Sequence, residues 1–407
     1  MAYLDIQAER LIDRLAQLSA IGATPSGGVS RLALSDEDRA GRDLLVQWMH
    51  DTGLEVRVDD GGNIFGVTAS GEDLPLIAGS HIDSVREGGR FDGALGVLAA
   101  LEAVQALALE GSHHRLGVVA FTNEEGARFR PALLGSGLAT GGFDADFVLS
   151  RTDDGGARFG QELRRIGYAG RSEFRLPAAA AFLELHIEQG PVLEARSATI
   201  GAVQGIVGIR WLEFTVCGRP DHAGPTPMSM RQDALVTAAR IATLARDLAR
   251  DGGQDAVVTV GRFLVHPNVV NVIPGEVIFN VDIRAPEAGA LQDLVGALLG
   301  GAQSIGAEEG CEVCCDTLWD SPACAFNPSV VAAVRSAARG LGVEPVDIWS
   351  GASHDARMMA DRTPTGMIFV PSRAGISHNP NEYTEEAHCI LGARVLLGTL
   401  RHLDRRG

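Results

Sequence analysis

Histidine and acidic side chains lie next to apolar segments in three places. His81 and Asp83 lie at the end of the apolar run in PLIAGSHIDSV, and Glu124 and Glu125 at the end of that in VVAFTNEEGARF. Asp92 lies in GRFDGALGV, just before an apolar helix. In open α/β sheets, ligands bind outside the carboxyl ends of the strands. We therefore expect this histidine and these carboxylates to converge at one edge of a sheet.

Imidazole nitrogens and carboxylate oxygens are suitable ligands for zinc, and also for manganese or cobalt. Of the adjacent Glu124 and Glu125, one can bind metal while the other remains free to transfer protons. Two more histidines extend the set, because His186 follows a strand in FLELHIEQG and His378 lies in the loop SRAGISHNPNEYT. A single histidine in such a position is more often structural, so the prediction of a metal site depends on the joint pattern.

The elements that must position these residues are those of an α/β fold. Over the first ~200 residues, helical patterns alternate with the apolar runs EVRV, IFGV, PLIAGSH and RLGVVAFT, which predicts a sheet covered by helices. From residue 209 the order becomes IRWLEFTV, a helix, the two strands AVVTVGRFLV and EVIFNVDIR, a helix and the strand CEVCCDTL. This βαββαβ order is that of a ferredoxin-like domain. We predict a discontinuous catalytic domain of residues 1–208 and 325–407, with the second domain, 209–324, inserted into it.

Composition excludes several classes of function. The chain of 407 residues has a formal net charge of -17 and no evident basic face, so we expect no nucleic-acid partner. No run reaches the ~18 apolar residues of a membrane span, and the first residues lack the pattern of a signal peptide. We therefore expect no membrane partner and a cytoplasmic location.

The basic residues narrow the chemistry further. All 35 residues counted as Lys+Arg are arginines, which excludes a Walker loop, a pyridoxal Schiff base and a metal site bridged by a carboxylated lysine. No G-x-S-x-G elbow occurs, so a serine hydrolase is not expected. Cys311 and Cys314 have C-x-x-C spacing without a second ligand pair, so we expect a half-buried strand with free thiols.

Taken together, these residues resemble the metal-dependent M20-type amidohydrolases. Within that family the chain is similar to the hydantoinase/carbamoylase branch, which includes N-carbamoyl-L-amino-acid hydrolases, allantoate amidohydrolases and β-ureidopropionases. The matching motifs occur in family order and span most of the chain: GSHIDSV, GRFDGALGV, TNEEGARF, LHIEQGPVLE, HAGPTPM, NVIPGEVIFNVDIR, SGASHDA and SHNPNE.

The resemblance implies a mixed-sheet catalytic domain with a dinuclear metal centre that holds two divalent ions per subunit, whether zinc, manganese, cobalt or nickel. His81, His186 and a bridging Asp92 would hold one ion, and Asp92, Glu125 and His378 the other. Asp83 would orient His81. Glu124 would be the general base that activates water and then protonates the leaving nitrogen.

The resemblance also implies substrate contacts, most of them in the inserted domain. His222 would polarise the scissile carbonyl, and Asn271 and Arg284 would bind the substrate carboxylate. Gln189 would contact the ureido or carboxylate end. Gly351, Ser353 and His354 of SGASHDA are further candidates, and Ser353 stands where the family motif has glycine.

The activity implied is hydrolysis of N-carbamoyl-L-amino acids to the amino acid, carbon dioxide and ammonia. Allantoate amidohydrolase is the main alternative, followed by a β-ureidopropionase or an N-acyl amino acid amidohydrolase. A non-catalytic protein that binds metals or amino-acid derivatives is the alternative of a different class. The partners implied are a small-molecule substrate and a second copy of the chain, which would form a homodimer through the inserted domain.

Overall fold

The structure, a computed structural model, describes residues 4–69, 74–176, 179–251 and 256–405. The chain divides into two compact units. The first unit consists of residues 1–205 and 325–407, and the second of residues 206–324. The predicted inserted domain had the same C-terminal boundary and began three residues later, at 209.

The N-terminal part of the first unit alternates helices and strands. Its helices are α1 (Ala8–Ala20), α2 (Asp36–Asp51), α3 (Ala94–Glu110), α4 (Leu134–Thr140), α5 (Ala145–Ser150), α6 (Phe159–Arg165) and α7 (Val192–Ala195). Its strands are β1 (Glu55–Val58), β2 (Ile64–Val67), β3 (Leu76–His81), β4 (Leu116–Phe121), β5 (Ala181–Ile187) and β6 (Gly201–Ile206). The short helices α4–α7 have no counterpart in the sequence-based prediction, because they are too short to show a helical period.

The second unit follows the predicted order of strands and helices. Its elements are β7 (Gly208–Cys217), β8 (Asp221–His222), α8 (Ala234–Asp251), β9 (Val257–Thr259), β10 (Phe263–His266), β11 (Val272–Ile273), β12 (Glu276–Ala285), α9 (Ala288–Glu309) and β13 (Glu312–Ser321). The segment AVVTVGRFLV, predicted as one strand, forms two, β9 and β10, which pair with different parts of β12. The break lies at Arg262, whose main-chain N–H donates to the side chain of Asn280.

The C-terminal part of the chain returns to the first unit. Its elements are β14 (Cys324–Ala325), α10 (Pro328–Gly340), β15 (Val346–Ser350), α11 (Asp355–Ala360), β16 (Thr365–Val370) and α12 (Glu386–Asp404). Within the described ranges, no helix combines the length and the apolar character needed to cross a membrane.

The sheet of the first unit is mixed, as predicted. Its strand order is β1-β2-β4-β3-β5-β16-β6-β14, with β15 also paired to β6. The four central neighbours β4, β3, β5 and β16 run parallel to one another, and every residue of these strands is buried. Parallel strands are normally covered on both faces, which explains their continuous apolar sequences. Their carboxyl ends therefore meet at one edge of the sheet.

The second unit has an antiparallel sheet in the order β10-β12-β7-β13. Burial alternates along β12, and its buried side chains form a core with those of α8 and α9. Phe214 and Phe279 stack at the centre of this core, with ring centroids 5.2 Å apart. Cys311 is buried and Cys314 is exposed, and none of the six cysteines forms a disulfide.

A buried ion-pair cluster joins α1 to the central helix α3. Glu102 of α3 is fully buried and accepts hydrogen bonds from Arg10, at 2.7 and 2.8 Å, and from Arg14, at 2.7 Å. Because the Arg14 side chain is only 8% exposed, removal of Glu102 would leave a nearly buried positive charge without its partner.

We predict that Glu102→Ala lowers the free energy of unfolding by about 3 kcal/mol, the usual cost of breaking a buried ion pair from one side. Urea denaturation followed by circular dichroism measures this change. The matched control is Glu55→Ala, which removes a pair to Arg57 whose side chains are both about half exposed. That control should cost less than about 1 kcal/mol. Equal losses in the two variants would contradict the assignment.

Candidate metal centre

The carboxyl ends of the parallel strands bring five predicted metal ligands together. His81 ends β3, Glu125 follows β4 and His186 lies near the end of β5. Asp92 comes two residues before α3, and His378 lies in the loop between β16 and α12. His81, Asp92 and His186 are buried, and the side chain of Glu125 is only 4% exposed.

The five residues form two groups that share Asp92. The donor atoms of His81, Asp92 and His186 lie within 4.8 Å of one another, and so do those of Asp92, Glu125 and His378. The two oxygens of Asp92 divide between the groups. Oδ1 lies 3.5 Å from Nε2 of His81 and 3.1 Å from Nε2 of His186, whereas Oδ2 lies 3.4 Å from Nε2 of His378. This arrangement suits a carboxylate that bridges two cations.

The tautomers of the two buried histidines are fixed by main-chain acceptors. Nδ1 of His81 lies 2.9 Å from the carbonyl oxygen of Asp83, and Nδ1 of His186 lies 2.9 Å from that of Ile187. A carbonyl oxygen only accepts, so each Nδ1 carries a proton, and Nε2 of the neutral ring presents a lone pair. Nε2 of His186 accepts from the main-chain N–H of Gly93 at 3.3 Å, and both Nε2 atoms also lie within 3.5 Å of Oδ1 of Asp92. Two acceptors at this distance repel each other unless a proton or a metal ion lies between them.

The second group, Asp92, Glu125 and His378, also brings acceptor atoms together that a proton or a cation would stabilise. Nε2 of His378 lies 3.2 Å from Oε2 of Glu125, and the buried Oε1 of Glu125 has no hydrogen-bond partner. An orphaned, buried carboxylate oxygen is costly unless a cation or a donor compensates it. The residues present therefore fit divalent cations, by their nitrogen and oxygen donors and by their unmet interactions.

The shifts in histidine pKa also indicate that the cluster favours positive charge. Burial opposes protonation of His81, but the carboxylates of Glu124 and Asp92 outweigh burial and raise the pKa of His81 well above its usual value. Side-chain contacts with Asp92 and Glu125 raise the pKa of His378 to about 11, against the effect of burial. These side chains thus favour positive charge at the positions where cations would bind.

Glu124, the predicted general base, lies beside the first group. It is buried, and its Oε2 lies 3.5 Å from Nε2 of His81. Burial and the neighbouring carboxylates, first among them Asp355 and Glu125, raise the pKa of Glu124 well above its usual value, although His81 opposes this effect. A carboxylate with a raised pKa is suited to accept a proton and to return it.

Asp83, which is predicted to orient His81, contacts that ring through its main chain. The carboxylate Oδ1 lies 3.9 Å from Nδ1 of His81, beyond hydrogen-bond distance, whereas the carbonyl of Asp83 accepts from Nδ1. The carboxylate instead accepts from the main-chain N–H groups of Glu124 and Glu125, at 3.2 and 3.4 Å. Asp83 therefore fixes the loop that carries both glutamates.

Gln189, predicted to contact substrate, lies next to the bridging carboxylate. Its Nε2 donates to Oδ2 of Asp92 at 2.8 Å, and its buried Oε1 has no partner. That free acceptor is available for an N–H group of a bound molecule.

The residues of SGASHDA have two different environments. Gly351 and Ser353 are exposed in the loop after β15, where their predicted substrate contacts remain predictions. His354 is only 1% exposed, and its Nε2 lies 2.9 Å from the hydroxyl oxygen of Ser350. Its ring centroid is 4.4 Å from that of His186. Its ring packs against a predicted metal ligand, and its predicted substrate contact remains a prediction.

The predicted substrate contacts of the second unit separate into two places. His222 pairs with Val272 in the ribbon of β8 and β11, and the main-chain N–H of Ala223 donates to the carbonyl oxygen of Asn271 at 3.0 Å. Arg284 lies near the far end of β12, where its Nη2 is 2.8 Å from Oδ2 of Asp282. The structure thus brings His222 and Asn271 together but not Arg284.

Two further residues around the cluster were missed by the sequence analysis. Glu184 lies two positions before His186 on β5, and its oxygens accept from the hydroxyl of Ser80 and from the main-chain N–H of Ala356. The alternation of side chains along a strand, which places residues two apart on one face, was the available signal. Glu382 lies within the motif SHNPNE and contacts the loop of Asp92.

The fold and the donor set suit a protein that holds divalent cations at the edge of a mixed α/β sheet, and the chain is similar to known hydrolases. The sequence pattern of Peptidase family M20/M25/M40 matches residues 77–402. An N-carbamoyl-L-amino-acid amidohydrolase of Rhizobium meliloti is 40% identical over 96% of this chain and 95% of its own. An allantoate amidohydrolase of Escherichia coli is 36% identical over 94% and 95%.

A solved structure extends the similarity to three dimensions. An amidase of the hydantoinase/carbamoylase family from Burkholderia multivorans superposes with a TM-score of 0.94, is 44% identical and covers 99% of both chains. The chain belongs to Peptidase family M20/M25/M40, and the resemblance stated from its motifs is confirmed.

The glycine before α3 is required by the packing of His81. Gly93 has a φ of +62°, and a Cβ atom there would lie 2.4–2.5 Å from the imidazole atoms of His81. We predict that Gly93→Ala weakens Mn²⁺ binding at least about tenfold, the scale seen when a ligand loses its support. Isothermal titration calorimetry measures the change.

The matched control is Gly111→Ala at the other end of the same helix. Gly111 also has a positive φ, +86°, but no atom lies within 4 Å of the added Cβ. This variant should lose about 1 kcal/mol of stability from backbone strain and bind Mn²⁺ normally. If both variants bind Mn²⁺ as the parent protein does, the assignment of His81 as a ligand is wrong.

Proposed function

We propose that the protein hydrolyses the ureido C–N bond of N-carbamoyl-L-amino acids, giving the amino acid, carbon dioxide and ammonia. The observation that carries the proposal is the pair of donor groups sharing Asp92, with Glu124 beside them. Relatives named for this reaction, with similarity over nearly the whole chain, support it. The products balance with one water, because the carbamic acid released with the amino acid decomposes to carbon dioxide and ammonia.

We further propose that each subunit holds two divalent ions. His81, His186 and Asp92 would hold one, and Asp92, Glu125 and His378 the other. Zinc, manganese, cobalt and nickel all suit this mixture of imidazole and carboxylate donors. When bound, the ions would polarise the substrate carbonyl and make an attacking water more acidic.

The protein's own groups would handle the protons. Glu124 would take a proton from the attacking water and return it to the leaving nitrogen, for which its burial and raised pKa prepare it. The carboxylate of Asp83 would keep Glu124 in place by accepting a hydrogen bond from the main-chain N–H of Glu124. The free Oε1 of Gln189 would accept a hydrogen bond from a ureido N–H of the substrate.

Substrate recognition in the second unit is better explained by a homodimer than by one chain. From Glu276 at the start of β12 to Arg284 there are eight residue steps, which span about 26 Å at about 3.3 Å per residue. Asn271 and His222 lie before that start, at the β8–β11 ribbon. This separation along β12 favours contacts to one small substrate from two chains over contacts from a single chain. We propose that Arg284 comes from one subunit and His222 with Asn271 from its partner.

An open apolar surface in the second unit also favours association. Trp211, Leu318 and Trp319 are 41%, 51% and 45% exposed on β7 and its edge neighbour β13. Exposed aromatic side chains of this kind are enriched at protein–protein interfaces. The proposed enzyme is thus a homodimer, and its predicted location is the cytoplasm.

The experiment is to measure ammonia release by protein reloaded with Mn²⁺ or Zn²⁺. The panel contains several N-carbamoyl-L-amino acids, their D-isomers, N-carbamoyl-β-alanine and allantoate, all of which release ammonia when the ureido bond is hydrolysed. We predict turnover of at least one N-carbamoyl-L-amino acid, no turnover of its D-isomer, and loss of activity after removal of metal by a chelator. Activity on allantoate alone would replace the proposal with the second candidate, which a relative of that name supports.

The Glu124→Gln variant distinguishes an enzyme from a binding protein. Because the amide cannot accept the proton of water, we expect kcat to fall at least about a hundredfold, the lower range for loss of general acid–base catalysis. The control is metal content, which should equal that of the parent protein, since Glu124 is not among the proposed ligands. Unchanged kcat in this variant would refute the mechanism.

A further inference from the structure

Glu382 connects the two loops that carry the shared ligand and its outer histidine. It is 4% exposed and lies four residues after His378. Its Oε1 accepts from the main-chain N–H groups of Phe91 and Asp92, at 3.1 and 3.2 Å. Its Oε2 accepts from the hydroxyl of Ser377 at 2.8 Å. One carboxylate thus satisfies three donors, two from the loop before α3 and one from the residue next to His378.

The loop before α3 is shaped to receive this carboxylate. A Cβ atom on Gly89 would lie 1.8 Å from Oε1 of Glu382, so the carboxylate packs directly on the main chain at that point. A side chain at position 89 would have to displace this carboxylate. Close packing and two N–H donors therefore hold the carboxylate at one position relative to Asp92.

A second set of hydrogen bonds leads from Glu382 to the carboxylate of Asp92. The hydroxyl oxygen of Ser377 lies 3.3 Å from Oδ2 of Asp92, and Nε2 of Gln189 lies 3.2 Å from that hydroxyl oxygen and 2.8 Å from Oδ2. Glu382 therefore contacts the main chain of Asp92 directly, and it connects to the side chain of Asp92 through Ser377 and Gln189.

The position of Asp92 needs this control more than that of the other ligands. Its two oxygens face different histidines, His186 through Oδ1 and His378 through Oδ2. A rotation of the carboxylate or a shift of its loop would withdraw one oxygen from its group. A carboxylate that bridges two groups of ligands can do so in only one orientation, and hydrogen bonds from neighbouring residues can fix that orientation.

We propose that Glu382 is a positioning residue that fixes Asp92 and the His378 loop in the one arrangement in which two divalent ions can share Asp92. This inference rests on the proposed two-ion site. Glu382 contributes its acceptor atoms, not a bond to either ion. A glutamine at this position would keep Oε1 for the two N–H groups, and its amide would donate to Ser377, whose proton would then turn to Asp92.

The test compares variants that lack the same charge and differ only in hydrogen bonding. Mn²⁺ binding is measured by calorimetry, and the Mn²⁺ retained after gel filtration is counted, for Glu382→Gln and Glu382→Ala. We expect Glu382→Ala to bind the Mn²⁺ pair at least about tenfold more weakly than Glu382→Gln, the usual effect of losing a group that supports a ligand. Equal affinities in the two variants would overturn the proposal.

Two further measurements secure the comparison. If Glu382→Ala does not fold, Glu382→Met takes its place, because methionine has a similar length and no comparable acceptor. The control is Asp404→Ala, which removes a buried carboxylate that accepts from the main-chain N–H groups of His113 and His114. That variant should lose stability and bind Mn²⁺ normally. Weakened Mn²⁺ binding in Asp404→Ala equal to that in Glu382→Ala would reduce Glu382 to a general stabilising residue and overturn the proposal.

The proposed function and this inference fail in different ways. A parent protein that binds fewer than two Mn²⁺ ions per chain would refute the two-ion site itself, and the inference with it. If the parent protein binds two Mn²⁺ ions, and Glu382→Ala and Glu382→Gln bind Mn²⁺ with equal affinity, only the role of Glu382 is refuted.

Discussion

The candidate site depends on the close approach of one buried carboxylate, that of Asp92, to the Nε2 atoms of neighbouring histidines. The protons of His81 and His186 are committed to main-chain carbonyls, so the Nε2 atoms of both neutral rings present lone pairs to Asp92. Such a cluster is unstable without positive charge. Protons supply it when no metal is bound, as the raised pKa values of His81 and His378 indicate. Divalent ions would replace those protons and make the two groups of ligands one functional unit.

The rest of the first unit can be understood as the means of holding that cluster together. Parallel strands deliver His81 and His186 at one edge of the sheet, because their carboxyl ends lie side by side. The other three predicted ligands, Asp92, Glu125 and His378, lie in loops. Loops lack the ladder hydrogen bonds of strands, so other contacts must hold them in place. Asp83 supports the loop of Glu124 and Glu125, and Glu382 supports that of Asp92. Buried carboxylates with N–H partners thus provide rigidity where the sheet ends.

Sequence patterns predicted the parts of this arrangement that follow from strand order and residue type. Alternating apolar runs and helical patterns predicted the α/β sheet and the order of elements in the second unit, and the family resemblance implied that the sheet is mixed. The joint pattern of His, Asp and Glu after strands and in loops indicated the five clustered residues. Patterns could not predict which atom of a residue acts. Asp83 contacts His81 through its carbonyl and not its carboxylate, and His354 is buried against His186. These outcomes depend on loop geometry and on packing between distant segments, which no local period encodes.

The same limit applies to residues distant in sequence that share one ligand. Glu382 and Asp92 are 290 positions apart, and nothing in either segment indicates the hydrogen bond between them. Conversely, the family pattern assigned Asn271 and Arg284 to one carboxylate, whereas β12 separates them within a single chain. A pattern records which residues serve a site but not which copy of the chain supplies them.

The central claim, that Asp92 is shared by two ions, is tested most directly by anomalous diffraction from crystals of the protein grown with Mn²⁺. The account predicts two anomalous peaks per chain, one between Asp92 and the pair His81 and His186, and the other between Asp92, Glu125 and His378. A single peak at full occupancy, or two peaks of which only one contacts Asp92, would contradict it.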